Sequence, residues 1–380
     1  MFPHALADLE TPALLLDEPR MRRNAARMRD RAAALGVSLR PHVKTAKCLE
    51  VSLAMCGGAP GPVTVSTLKE ADQCAAAGFR DITYAVGITA NKIAHARRLL
   101  AQGVRLSVLL DSVAAARALV DAMAGHVGEP LSVLIEIDTD GHRSGLAPDA
   151  PDLLPVAQAL VAPGVRLAGV LTHAGESYHC RDQAALVAMA ERERAGAVLA
   201  VQRLRAAGHA APVVSVGSTP TALSAAALPG VTELRAGVYV FFDLVMAGVG
   251  VCGPDDIALS VLTSVIGHQP ARGWTMCDAG WMALSRDRGT ASQPVDQAYG
   301  LVCDAQGRVL PDYLVSAVSQ EHGTITHRSG DPARFLDVPV GTLLRVLPNH
   351  ACATGAQHAG YRVLGGEGSV VAQWARFSGW

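Results

Sequence analysis

From Arg40 to Asp243 the chain alternates between two textures. Short apolar, β-branched runs ("LRPHV", "VTVST", "ITYAV", "LSVLLD", "LSVLIEID", "LAGVLTH", "VVSVGS" and "ELRAGVYVF") are separated by Ala- and Leu-rich stretches of helical period such as "KEADQCAAAG" and "LVAMAERERAGAVLAVQRLRAAG". Runs that are continuously apolar rather than alternating mark strands covered on both faces by helical crossovers. Eight strand-helix units in succession predict a closed (β/α)8 barrel in preference to a doubly wound open sheet. No GxGxxG follows the first run, so a dinucleotide fold loses its main support.

After Val245 the pattern changes. Strand-like runs ("ALSVLTSVIGH", "GWTMCDAG", "TLLRVLP", "SVVAQWARF") are broken by Gly, Pro and Asp turns with little helical period between them, which predicts a mainly antiparallel β domain. The opening run "TPALLLD" precedes the barrel and is expected to join that domain. The predicted division is therefore 1–20 with the β domain, 21–245 as barrel and 246–380 as β domain.

Composition narrows the function. With 380 residues, half of them hydrophobic and 18% charged, the chain can bury a large core and is long enough for two domains. A net charge of -1 offers no general attraction to nucleic acid or to anionic membrane, which leaves a small near-neutral ligand as the expected partner. No segment stays apolar for the ~20 residues that span a bilayer, and "MFPHALADLETPALLLDE" carries acids and a proline where a leader needs a basic stub, so a cytoplasmic protein is expected. The eight cysteines are scattered without a CxxC pair, which argues against a disulfide framework.

Candidate chemistry clusters where the predicted strands end, the position that supplies catalytic groups in barrels. Lys44 ends the first; "STLKE", "DTDGHRSG", "THAGESY", "SVGSTPT" and "RAGVY" end the second, fifth, sixth, seventh and eighth. Gly217, Ser218 and Thr219 precede a helix opened by Pro220, a place that favours an anion such as phosphate, with Gly237 and Val238 as the matching second loop. The same "GSTP" is also an ordinary helix cap. A lysine ending a buried strand is costly unless it is used. Desolvated, it can condense with an aldehyde and later accept a proton. Pyridoxal phosphate supplies both the aldehyde and the phosphate. An isolated lysine would read as a surface group, as Lys47 does, and "ERERAG" (residues 191–196) reads as a solvated helix face.

Six ordered stretches, "RPHVKT", "EIDTDGHRSG", "THAGESY", "VGSTPT", "ELRAGVYVFFD" and "PNHACAT", resemble the fold-type III pyridoxal phosphate enzymes of the D-threonine aldolase and metal-activated D-serine dehydratase family, relatives of alanine racemase. The likeness runs from about Thr11 to the C-terminus. It implies that Lys44 carries the cofactor, that Gly217, Ser218, Thr219, Gly237 and Val238 form the phosphate cup, that His173 lies against the pyridine ring, and that Arg143 stands near the phenolic oxygen. For the ring nitrogen it leaves two candidates, Tyr178 and Arg235. It also implies a homodimer.

In "PNHACAT" one residue separates His350 from Cys352, so on an extended strand both side chains face the same way and can grip one soft or borderline cation. The resemblance makes this a metal site, with zinc ahead of manganese, cobalt or magnesium, since the dehydratases show His-x-Cys where the aldolases more often show His-x-Asp. The expected activity is elimination of water from a D-3-hydroxy amino acid, D-threo-3-hydroxyaspartate or D-serine, yielding a keto acid and ammonia. The alternatives are aldolase-type cleavage to glycine and an aldehyde, or a non-catalytic pyridoxal phosphate carrier. "DAGWMALSRDRG" and "SQEHG" either line the substrate side or form a buried salt-bridge network around Asp278, Arg286, Asp287, Glu321 and His322.

Overall fold

The computed structural model describes residues 5–366 and 368–380. The chain divides into two compact units, residues 26–237 with 379–380, and residues 1–25 with 238–378. The seams fall at 25/26 and 237/238, where the sequence alone suggested 20/21 and 245/246; residues 1–4 of the opening segment lie outside the described residues.

Strands are numbered along the chain. After β1 (Ala13–Asp17), the first unit named above holds β2 (Ser38–Leu39), β3 (Val63–Val65), β4 (Asp81–Gly87), β5 (Arg105–Leu110), β6 (Leu131–Ile137), β7 (Val165–Thr172), β8 (Val213–Val216) and β9 (Glu233–Leu234). They form one parallel sheet in the order β2-β9-β8-β7-β6-β5-β4-β3. Burial along the whole of β6 explains why its sequence is apolar on both faces, broken only by the buried Ser132 and Glu136. The crossover helices start where the sequence supplies caps: the side chains of Thr67, Ser112 and Asp182 accept hydrogen bonds from the amides of Glu70, Ala115 and Ala185, each such cap contributing about 1 kcal/mol.

The ring closes between β2 and β3 through single residues rather than a full ladder. Thr64 N–H donates to Pro41 O (2.8 Å) and Val43 N–H to Thr64 O (2.9 Å), with His42 bridging Thr64. The expected strand "LRPHV" is therefore shorter than predicted. The regular strand ends at Leu39, although Arg40 and His42 N–H still donate to Leu234 O (2.9 Å) and Ala236 O (2.8 Å); Pro41 offers no N–H on the opposite side, toward Thr64, and Lys44 falls in the turn that follows. The run "ELRAGVYVF" is shortened in the same way: β9 ends at Leu234, and after Gly237 the chain enters a 3-10 helix, Val238–Val240. A Cβ on Gly237 would stand 2.8 Å from His42 O, so only glycine fits this turn.

The other unit is a nine-stranded sheet of β1 with β10 (Leu259–Gln269), β11 (Trp274–Cys277), β12 (Leu301–Asp304), β13 (Val309–Val318), β14 (Gly323–His327), β15 (Leu343–Leu347), β16 (Gly360–Leu364) and β17 (Val370–Ala375). β1 pairs antiparallel with β10 and parallel with β16; the other pairings are antiparallel. Leu14, Leu15 and Leu16 are buried there, and Phe241 packs edge-on against Tyr361 with ring centroids 5.6 Å apart. None of the eight cysteines, all among the described residues, is in a disulfide, and no described helix is long and apolar enough to cross a membrane.

Candidate active site

Lys44 occupies a turn closed by Lys47 N–H donating to Val43 O (2.8 Å). Its side chain is exposed, which corrects the expectation of a desolvated lysine at a strand end: the strand stops short, and the turn lifts the residue out of the core. The Lys44 amide donates to His42 Nδ1 (3.3 Å), so His42 presents an acceptor nitrogen and is neutral. Burial holds His42 well below the ordinary histidine range, reinforced by the charges of Lys44 and Arg235. Lys47 is not the free surface group the sequence suggested. Its backbone sits at φ 44°, and its Nζ lies 3.0 Å from Glu70 Oε1, a buried carboxylate that also accepts from Ser66 N–H (2.8 Å). The turn bearing Lys44 is thereby pinned at its far end.

His173, at the end of β7, places Nδ1 3.1 Å from Gly217 O, at the end of β8. Burial pushes its pKa down to about 3, helped by the Lys44 ammonium. Arg235 is buried behind these strand ends, with Nη1 donating to Ser215 Oγ (2.7 Å) and Nη2 to Thr172 O (2.6 Å). Burial pulls this guanidinium down to about 10, against the nearby Glu233 and Glu193 carboxylates. Lys44, His42, His173, Arg143 and Arg235 thus act on one another electrostatically, which their separation in sequence hides.

The expected phosphate loop is more committed than the sequence implied. Gly217 N–H donates to Glu193 Oε1 (2.9 Å), and Ser218 N–H to Thr221 Oγ1 (3.0 Å). Ser218 caps the short helix Thr219–Ser224 and also meets Ser177 Oγ (2.8 Å). Thr219 is buried in the first turn of that helix. Gly217 has φ 135° and no room for a Cβ, which would lie 2.1 Å from Arg235 O. Gly237 ends this unit and Val238 begins the next one. Arg143 is exposed, 3.9 Å from the buried Glu136, and Tyr178 is half-buried in the 3-10 helix Gly175–His179. Glu193 itself was missed: "ERERAG" is not wholly solvated, because Glu193 is buried while Glu191 and Arg194 pair at the surface.

In the other unit, His350 and Cys352 come together, but not on a strand. β15 ends at Leu347, His350 is the N-cap of helix Ala351–Gly355, and Cys352 lies in its first turn. The reason is local: Asp243 Oδ2 accepts from Ala351 N–H (2.9 Å), while Leu244 and Val245 N–H donate to Pro348 and Asn349 O, which bends the chain. His350 Nδ1 lies 2.8 Å from Asp287 Oδ2. Burial opposes charge on this imidazole, but Asp287 and the Cys352 sulfur beside it outweigh burial and push it up to about 11. A carboxylate on Nδ1 leaves Nε2 as the ligating nitrogen, and an imidazole with a thiol in a place that favours positive charge fits a borderline divalent cation. Among the described residues no group of three or more His, Cys, Asp or Glu is set to hold a metal.

Of the five charged residues expected to line the substrate side or form a buried network, Asp287 pairs with His350, and among the described residues the other four form no salt bridge with one another. Asp278 accepts from Thr11 Oγ1 (2.5 Å), Thr263 Oγ1 (2.6 Å) and Ser264 N–H (2.9 Å); Arg286 stacks on Trp281 at 4.5 Å; Glu321 and His322 are exposed.

For the cofactor, an accessible amine beside two neutral imidazoles and a buried Ser218–Thr219 turn fit a phosphorylated aldehyde.

Comparison with known proteins agrees with this layout. The alanine racemase N-terminal domain family matches residues 16–245, and the serine dehydratase domain family residues 258–364. D-threo-3-hydroxyaspartate dehydratase from Delftia sp. (strain HT23) is 55% identical over 99% of both chains. D-serine dehydratase from Dictyostelium discoideum is 30% identical over 96% of this chain and 95% of that one. A solved D-threo-3-hydroxyaspartate dehydratase, a cysteine-to-alanine mutant in the metal-free form, superposes with a TM-score of 0.95 at 54% identity over 100% of both chains. The chain belongs to the fold-type III pyridoxal phosphate family that holds the D-threonine aldolases and the D-serine dehydratases.

Proposed function

We propose that this chain is a lyase that removes water from a D-3-hydroxy amino acid, D-threo-3-hydroxyaspartate or D-serine, to give a keto acid and ammonia. The observation that carries this is its full-length likeness, at 55% identity, to a D-threo-3-hydroxyaspartate dehydratase. When bound, pyridoxal phosphate supplies a sink for the electron pair left at Cα, and a divalent metal supplies a Lewis acid for the departing hydroxyl.

Lys44 is the residue that would hold the cofactor and, once displaced by substrate, take the Cα proton on its amine. His42 and His173 stay neutral, so they border that amine without adding positive charge against it. Arg143 is assigned to the phenolic oxygen and the Gly217–Thr219 turn, with Gly237 and Val238, to the phosphate. Arg235 already gives two of its donors to Ser215 and Thr172, which supports Tyr178 for the ring nitrogen.

His350 and Cys352 would hold the metal, with Asp287 fixing the imidazole. The metal-free cysteine mutant of the relative supports Cys352 in that role. A thiol with an imidazole is a softer donor set than the His-x-Asp of aldolases, which favours zinc over manganese, cobalt or magnesium and elimination over carbon–carbon cleavage. A carrier protein has no use for the pair. The homodimer and the cytoplasmic location belong to the same reading, and sedimentation and cell fractionation check them.

The test incubates the protein, with and without chelator, with D-serine, D-threonine and the hydroxyaspartate isomers. Chelator-sensitive release of ammonia and a keto acid is expected. Release of glycine and an aldehyde instead would overturn the dehydratase in favour of an aldolase.

A further inference from the structure

Helix Gln183–Ala206 buries Leu186, Ala190, Ala197, Ala200, Val201 and Leu204 against the sheet, and among these apolar residues it buries one charged side chain, Glu193, which is 2% exposed. A carboxylate at such a position is costly unless every lone pair is used, and a Leu or Met would pack there at no such cost. Both oxygens of Glu193 are engaged. Oε1 accepts from Ala174 N–H (3.1 Å) and Gly217 N–H (2.9 Å), and Oε2 from Thr221 Oγ1 (2.8 Å).

Those three donors are not scattered. Ala174 follows His173 in the loop after β7, Gly217 is the carbonyl partner of His173 in the loop after β8, and Thr221 Oγ1 in turn receives Ser218 N–H. One carboxylate therefore sets the separation of the two loops and the shape of the Gly217–Thr219 turn. Arg235 grips the same strand ends through Thr172 O and Ser215 Oγ. A departure from the apolar pattern that converges on one turn is what a functional constraint leaves in a sequence.

We propose that Glu193 is a positioning residue for the cofactor phosphate: its buried carboxylate holds the loops after β7 and β8 in the arrangement that receives the phosphate group. This rests on the reading of the Gly217–Thr219 turn as the phosphate side of a pyridoxal phosphate site. Glu193 touches neither cofactor nor substrate, and it takes up the Gly217 amide that the sequence alone would have given to the phosphate.

The experiment titrates full-length protein, stripped of cofactor, with pyridoxal phosphate and separately with pyridoxal, which lacks the phosphate, following the visible absorbance of the lysine-bound aldehyde. In the wild type, pyridoxal phosphate binds far more tightly than pyridoxal. Glu193→Ala is expected to narrow that preference by about tenfold or more, with the affinity for pyridoxal nearly unchanged. Glu193→Gln, whose Oε1 can still accept from the Ala174 and Gly217 amides while its NH2 donates to Thr221 Oγ1, retains most of it. Thr221→Val removes one arm of the network without burying a new cavity and is expected to narrow the preference by a smaller factor, which keeps the test available if the alanine variant does not fold. A full wild-type preference in Glu193→Ala or Thr221→Val, or an equal loss for both ligands, overturns the proposal, since the first shows no role and the second a merely structural one. A wild-type protein that forms no borohydride-trappable product with either aldehyde overturns instead the reading on which it rests.

Discussion

His173 Nδ1 lies 3.1 Å from the carbonyl oxygen of Gly217, so the loop after β7 is tied to the loop after β8 through an imidazole that donates there and stays uncharged. Burial, with the Lys44 ammonium, moves its pKa from 6.5 to about 3, and His42 is displaced in the same direction. The unfolded chain takes up the His173 proton near pH 6.5, whereas the folded chain resists it until about pH 3, and His42 acts in the same sense. Stability is therefore fully present above pH 6.5 and is lost as pH falls through that window, by up to about 1.4 kcal/mol per pH unit for each group. Urea midpoints measured from pH 7 to pH 4 should fall, and His173→Gln should give a shallower dependence. An identical slope in the variant contradicts the neutral imidazole.

Lys44→Ala should abolish the visible absorbance of lysine-bound cofactor and lower turnover by on the order of 10^2 to 10^4, the usual contribution of a positioned proton acceptor. Lys47→Met should keep the absorbance and lower turnover less, because it releases the far end of the turn from Glu70 without removing the amine. Stopped-flow turnover with absorbance spectra separates the two. Retained absorbance in Lys44→Ala would move the cofactor to another residue.

Asp287→Ala should weaken metal binding by about 10- to 100-fold, the usual cost of removing a carboxylate behind a ligating histidine. Competition titration with a zinc indicator measures it, and the cofactor absorbance serves as an internal control that should not move. His350→Ala and Cys352→Ala should weaken binding further. Unchanged affinity in all three variants places the metal elsewhere.

Arg40 joins two strands by charge, with Nε 2.8 Å from Glu233 Oε2 and Nη1 2.6 Å from Asp81 Oδ1, and its side chain is only 12% exposed. Arg40→Met removes the cation on Oε2 of the buried Glu233, leaving it the Ser215 hydroxyl on Oε1, and should cost about 3–5 kcal/mol in chemical denaturation. Arg105 reaches Asp81 from a side chain that is 65% exposed, and Arg105→Met should cost about 1 kcal/mol or less. Similar losses in the two variants would show that burial does not set the strength of these pairs.

Much of the fold was legible because its signals are local and repeated. The largely apolar run 131–137 and the caps at Thr67, Ser112 and Asp182 each declare their element within a few residues. What was not legible depends on distant partners. That Lys44 would fall in a turn depends on Lys47 N–H reaching back to Val43 O and on the pairing of Lys47 with Glu70, which the hydrophobic pattern of the run does not announce. The bend at His350 depends on Asp243, more than a hundred residues earlier, whose carboxylate takes the Ala351 amide. Glu193 sits between Arg192 and Arg194 in a helix whose charges look solvated, and only the three-dimensional placement of Ala174, Gly217 and Thr221 turns it inward. The Lys44 motif was visible, while the exposure of its amine was not, since that follows from where the turn begins.

The ring of strands is fastened at His42 and Thr64, two residues from the amine of Lys44. Fastener and reactive group therefore breathe together: any excursion that parts Val43 from Thr64 also carries the amine away from its imidazole neighbours. Occupation of Lys44 should act as a rivet for the whole ring, slowing amide hydrogen exchange at Val43 and Thr64 more than at the remote end of β6.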